Sequence, residues 1–219
     1  MMKRVGKQTI IGGTDGPTSV FIVGKRDDKG KVPWKQRIHL FFYHRRREKI
    51  IAALKPELHT LEEVGEYVKT RYNAVELQED DRSYIRQRNN CKSALVQRFR
   101  PDLLGEDRKR QPPKSESPED IKSWLDEVKA LEEKAAAVSE EEFPLDYHLY
   151  HIEFLDYGTL DLEIEKEHQL LSVSYTSRPK KKKYLDRVAK DIYQYYGVTE
   201  EDIEKKTERF QMLVTELAG

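Results

Sequence analysis

The apolar positions change spacing along the chain, and the changes mark its expected elements. Residues 9–11 and 19–23 flank a glycine-rich turn and read as a β-hairpin, followed by a polar loop over 27–32. Pro33 can open a helix, and the segment from Trp34 to about Leu54 favours one. Its Trp34, Ile38, Phe41 and Phe42 form an apolar stripe that Arg45, Arg46 and Arg47 interrupt. Thr60 and Glu63 have the spacing of a capping box, and Leu61, Val64, Val68 and Tyr72 follow at helical intervals. A third helix is predicted from about Asp81 to Phe99, with Tyr84, Cys91, Leu95 and Phe99 inward and Pro101 closing it.

Residues 105–118 combine proline, serine and charge with little apolar surface, which is the composition of a linker. A charged amphipathic helix over 121–138 follows, with Trp124, Leu125, Val128 and Leu131 on one side. Then the period drops to two. Residues 151–155 and 160–164 alternate apolar and polar across a turn at Tyr157 and Gly158, and 171–175 adds a third strand. Residues 184–196 and 200–217 read as two helices split at Gly197, with Thr199 capping the second.

The expected fold class is therefore α+β: an N-terminal β-hairpin plus three helices, a linker and amphipathic helix, and a C-terminal β-meander plus two helices. The expected domains are a basic one over 1–104, a linker over 105–118, a connecting helix over 119–139 and an acidic one over 145–219. No internal repeat is visible.

Composition sharpens this picture in two ways. Charged and hydrophobic residues each make up 37% of the 219 residues, and the mean hydropathy is −0.84, so apolar positions fall in narrow stripes. No apolar run approaches the ~20 residues needed to span a bilayer, and no membrane partner is expected. The net charge of zero hides an asymmetry: residues 1–110 carry 25 Lys and Arg against 15 Asp and Glu, and 111–219 carry 15 against 25. A basic half favours polyanions; equally, oppositely charged halves attract each other within a chain or between protomers.

The single cysteine, Cys91, excludes an internal disulfide and a multi-cysteine zinc site. Lys3, Arg4 and Lys7 form a positive flank, but Gly12 and Gly13 arrive before any apolar leader segment, so cytoplasm is the expected compartment.

Two segments carry candidate chemistry. In the third helix Arg82, Arg86, Asn89, Ser93, Gln97 and Arg100 recur at steps of three and four, making one polar stripe. Arginine, asparagine and glutamine are the side chains that read base edges, and Arg45, Arg46 and Arg47 could hold phosphates. With the capped helix at Thr60 this resembles a helix-turn-helix arrangement, although residues 73–80 make a longer connection than usual and Glu79, Asp80 and Asp81 repel phosphates. The plain alternative is a solvated amphipathic helix.

The second segment is the loop of Gly12, Gly13, Thr14, Asp15, Gly16 and Thr18, whose backbone N–H groups could cradle an anion or nucleotide. No Gly-Lys-Ser/Thr follows and a strand comes next, so it is not a Walker loop, and a tight hairpin turn with Asp15, Gly16 and Pro17 at its tip is the preferred reading. Residues 10–21, Ile-Ile-Gly-Gly-Thr-Asp-Gly-Pro-Thr-Ser-Val-Phe, resemble the Gly-Gly-x-Asp-Gly-Pro-Thr-Ser-x-Phe stretch in the beta subunit of the sodium-translocating decarboxylases. The resemblance implies for Asp15 the part of an aspartate in a membrane pathway for sodium. It ends at residue 21, and the many transmembrane helices of that subunit have no counterpart here, so pumping does not carry over.

His148 and His151 precede and enter a strand where they point to opposite faces, and His39 and His44 diverge on a helix, so no metal site is expected. The basic run over 180–183 could bind an acidic partner. No acid/base pair stands out, and no cofactor is expected. The leading expectation is a non-enzymatic nucleic-acid-binding or regulatory protein. The alternatives are an anionic-ligand or nucleotide-binding module using the glycine loop, and an oligomerisation or interaction protein.

Overall fold

Seven helices and two antiparallel sheets make up the residues that the computed structural model describes, 34–108, 117–178 and 180–219, so the fold is α+β as expected. The helices are α1 (Trp34–Ala53), α2 (Leu61–Tyr72), α3 (Arg82–Phe99), α4 (Pro118–Ala136), α5 (Lys182–Tyr196), α6 (Glu200–Lys205) and α7 (Glu208–Ala218). The strands are β1 (Glu57–Leu58), β2 (Val75–Glu76), β3 (Tyr147–Phe154), β4 (Gly158–Glu165), β5 (Leu170–Ser177) and β6 (Gly197–Val198). One sheet runs β2-β3-β4-β5, and the other pairs β1 with β6. The expected N-terminal hairpin, the glycine loop from Gly12 to Thr18 and residues 109–116 of the expected linker lie outside the described residues.

Two compact units form. Among the described residues the first takes 34–75, 150–164 and 168–219, and the second takes 76–149 and 165–167. This grouping cuts across the boundary expected at 105–118: α1 and α2 join the C-terminal strands and helices, because the apolar faces of α2 and β3–β5 are mutual partners.

In the first unit, Leu61, Val64 and Val68 of α2 share a core with Tyr150, Ile152, Leu160 and Leu162 of the strands and with α5 and α7. The capping box at α2 is present: Thr60 Oγ1 accepts from the Glu63 N–H at 3.2 Å, and the Glu63 carboxylate accepts from the Thr60 N–H at 2.7 Å. β1 pairs with β6 in the register Glu57 with Val198 and Leu58 with Gly197. Gly197, at φ 70°, brings its backbone so close to Glu57 that a Cβ would stand 1.7 Å from the Glu57 carbonyl oxygen. The long helix expected over 200–217 is two: Lys206 turns left-handed at φ 50°, and Thr207 starts α7 by accepting from the Phe210 N–H.

In the second unit, α3 packs along α4. Asp81, read from sequence as a charge hostile to phosphates, is the N-cap of α3 and accepts from the N–H groups of Ser83 and Tyr84. Tyr84, Cys91 and Leu95 face inward as expected, joined by Val96. Residues Pro101–Arg108, half in the expected linker, coil into a 3-10 stretch whose Leu104 is buried and whose Leu104 carbonyl accepts from Lys134 Nζ at 2.7 Å.

Candidate functional site

Helix α3 keeps its polar stripe, but α4 converts part of it into one wall of a groove. Arg82, Arg86, Asn89 and Ser93 line that wall; Lys129, Glu132 and Glu133 of α4 line the other. The groove encloses about 490 Å³. The two remaining members of the stripe are spent elsewhere: Gln97 Nε2 donates to Ser93 Oγ at 2.9 Å, and Arg100 forks onto Asp102 at 2.8 to 3.1 Å. Ser93 is only 3% exposed. The polar stripe of α3 thus shares its groove with two glutamates of α4, and at its far end Gln97 and Arg100 are engaged within the protein.

A buried cation fixes the register of this wall. Lys92 is 3% exposed; its Nζ donates to the Val138 carbonyl and to Glu140 Oε1, the latter at 2.7 Å. Arg88 Nη2 reaches the same Glu140 oxygen at 2.8 Å. Burial opposes ionisation of Glu140, but the hydrogen bonds from Lys92 and Arg88 outweigh it and hold the carboxyl below its usual range. The chain just after α4 is thereby clamped onto α3.

In the first unit the arginine run divides by role. Arg46 Nη1 donates to the Ala218 carbonyl at 2.9 Å and Arg47 donates to Gln211 Oε1, so both tie α1 to α7. Arg45 stays exposed, with Arg37 and Lys49. The inward face of α1 is the line of Tyr43, Arg47 and Ile50, continued by Leu54 just past its end. That displaces the stripe read from sequence: Trp34 is 66% exposed and Phe41 61%, and Ile38, Leu40 and Phe42 are exposed with them. Six Lys and Arg against one Glu make α1 strongly basic. Sequence spacing caught these aromatics but took the wrong face, because the shorter line through Tyr43 and Ile50 includes an arginine.

An aromatic band in the same unit was not foreseen. Tyr195 is stacked between His59 and Tyr67, each centroid 3.9 Å away, and Tyr67 meets Tyr72 edge-on at 6.2 Å. Both Tyr67 and Tyr72 donate to Asp191 Oδ2, at 2.5 and 2.6 Å. Burial first, and then the Asp191 carboxylate, push the Tyr67 hydroxyl up to about 12 and Tyr72 higher still, so both stay protonated donors. These rings spend their faces on one another, which suits packing more than capture of a planar ligand.

The remaining candidates resolve locally. His151 Nδ1 lies 2.6 Å from Asp161, and the two ring nitrogens of His148 lie 2.7 and 2.9 Å from Glu76 and Asp146. Cys91 is buried. Among the described residues no group of three or more His, Cys, Asp and Glu could hold a metal, and no helix is long and apolar enough to cross a membrane. No protein-family model matches the chain, and no curated protein or solved structure matches it either.

Proposed function

We propose that this protein binds single-stranded nucleic acid through α1. The observation that carries the reading is the interleaving on one helix of exposed aromatics, Trp34, Phe41 and Phe42, with the exposed cations Arg37, Arg45 and Lys49. Single strands are held by phosphates tracking a basic surface and by bases stacking on aromatic rings, at about 1–3 kcal/mol per stacked base. The distribution favours this over a membrane surface. Leu40, Phe41 and Phe42 are consecutive and so span about 200° of the helix circumference, whereas an interfacial helix needs segregated apolar and basic faces.

Fluorescence anisotropy of labelled single-stranded and duplex DNA and RNA at two salt concentrations tests the proposal. Single strands should bind more tightly than duplex, with a salt slope of about −0.7 per phosphate contacted. Trp34→Ala with Phe41→Ala should weaken binding without altering that slope, and Arg37→Ala with Arg45→Ala should flatten it. Arg46 and Arg47 are left intact because they hold α7. Absence of binding at low salt, or preference for anionic vesicles over oligonucleotides, would overturn the proposal.

A further inference from the structure

The groove of the second unit has walls of opposite character. On α3, Arg82 and Arg86 stand one turn apart, exposed, with no hydrogen bond or ion pair among the described residues. Glu132 and Glu133 of α4 line the other wall, and Lys129, the α4 cation among the lining residues, is itself 3.7 Å from Glu133. A polyanion would be repelled by the acidic wall and a polycation by the arginines. A molecule with a carboxylate at one end and an ammonium at the other satisfies both, since a pair of guanidinium forks matches carboxylate geometry.

What else lines the groove narrows the class. Asn89 and Asn90 each offer an amide donor and acceptor, the complement of a peptide bond. At the inner end Ser93 is buried; its Oγ accepts from Gln97, while its hydroxyl proton has no acceptor among the described residues. Ile85 and Ala136 supply a small apolar surface. The volume of about 490 Å³ falls within the range of small-ligand sites.

We propose that the α3–α4 groove binds short zwitterionic peptides, the C-terminal carboxylate on Arg82 and Arg86, the backbone amides on Asn89, Asn90 and Ser93, and the N-terminal ammonium toward Glu132 and Glu133. None of these residues belongs to the nucleic-acid surface proposed on α1, so the two readings stand or fall separately.

Calorimetric titration of the full chain with the tripeptide Ala-Leu-Ala tests the site. Saturable binding is expected, weakened more than about tenfold when the peptide is N-acetylated or C-amidated, because each cap removes one of the two charges. The double variant Arg82→Gln/Arg86→Gln should weaken the free peptide by a similar factor with an unchanged thermal midpoint, since both side chains are exposed. Arg86→Lys, which keeps the charge and loses the fork, should weaken it less. The proposal is overturned by an absence of saturable binding, by equal binding of the capped peptides, by indifference to the arginine variants, or by tighter binding of inorganic phosphate than of the tripeptide.

Discussion

Replacing Glu140 and Lys92 in turn separates two ways of losing the same contact. Lys92 is buried, whereas Glu140 is 50% exposed. Glu140→Ala strands the ammonium in the interior with the Val138 carbonyl as its one acceptor among the described residues. Removing one partner of a buried ion pair costs about 3–5 kcal/mol, and the water already around Glu140 reduces that to about 2 kcal/mol. Lys92→Met removes the buried charge, keeps most of its volume and leaves Glu140 bonded to Arg88, so the cost is about 1 kcal/mol for the lost Val138 bond. The more exposed residue should therefore be the more damaging one to replace.

The pH dependence follows from the direction of the Glu140 shift. Its folded carboxyl titrates below the unfolded one, which lies near about 4.3. The clamp's contribution is complete above that pH and is lost as the pH falls through the lowered folded value. Urea unfolding can be followed through Trp124 alone in a Trp34→Phe background, since the chain has 2 tryptophans. The gap between the parent and Glu140→Ala should be widest at neutral pH and close as the pH falls through the lowered folded value. Lys92→Met costing as much as Glu140→Ala, or a gap that persists in acid, would refute the reasoning.

Two further substitutions probe the first unit. Gly197→Ala should destabilise by at least about 2 kcal/mol, because a side chain there combines a left-handed backbone with a collision against the Glu57 carbonyl; a thermal midpoint within 2 °C or so of the parent would contradict the β1–β6 register. Tyr193→Phe should cost about 1–3 kcal/mol, since the buried Val173 N–H donates to that hydroxyl at 3.1 Å and would be left unpaired; a neutral effect in urea titration would mean the N–H has another acceptor.

Most of the elements were legible because capping and periodicity are local. Thr60 with Glu63, Thr199, and the alternation of residues 160–164 each announced a boundary or a face that the fold uses. What sequence could not convey was which faces meet. The polar stripe of α3 was visible as spacing, yet only the presence of α4 turns Arg82, Arg86, Asn89 and Ser93 into a groove wall and gives them glutamates as neighbours. Likewise the arginine run looked uniform, although α7 claims Arg46 and Arg47 and leaves Arg45 exposed. The burial of a polar position inside a strand also had no signal in the spacing: Glu165 is fully buried on β4, where its carboxylate accepts from the N–H groups of Asp146 and Glu167.

The discontinuous first unit sets an order of events during synthesis. The buried faces of α2 belong with strands and helices that the ribosome makes only after residue 149, so Leu61, Val64 and Val68 leave the exit tunnel without partners. Helices α3 and α4, by contrast, find each other across a short stretch of chain and can close as soon as α4 is complete. The later-numbered unit is thus the one able to fold first, and α2 spends that interval with an uncovered apolar face, the condition under which nascent chains recruit chaperones.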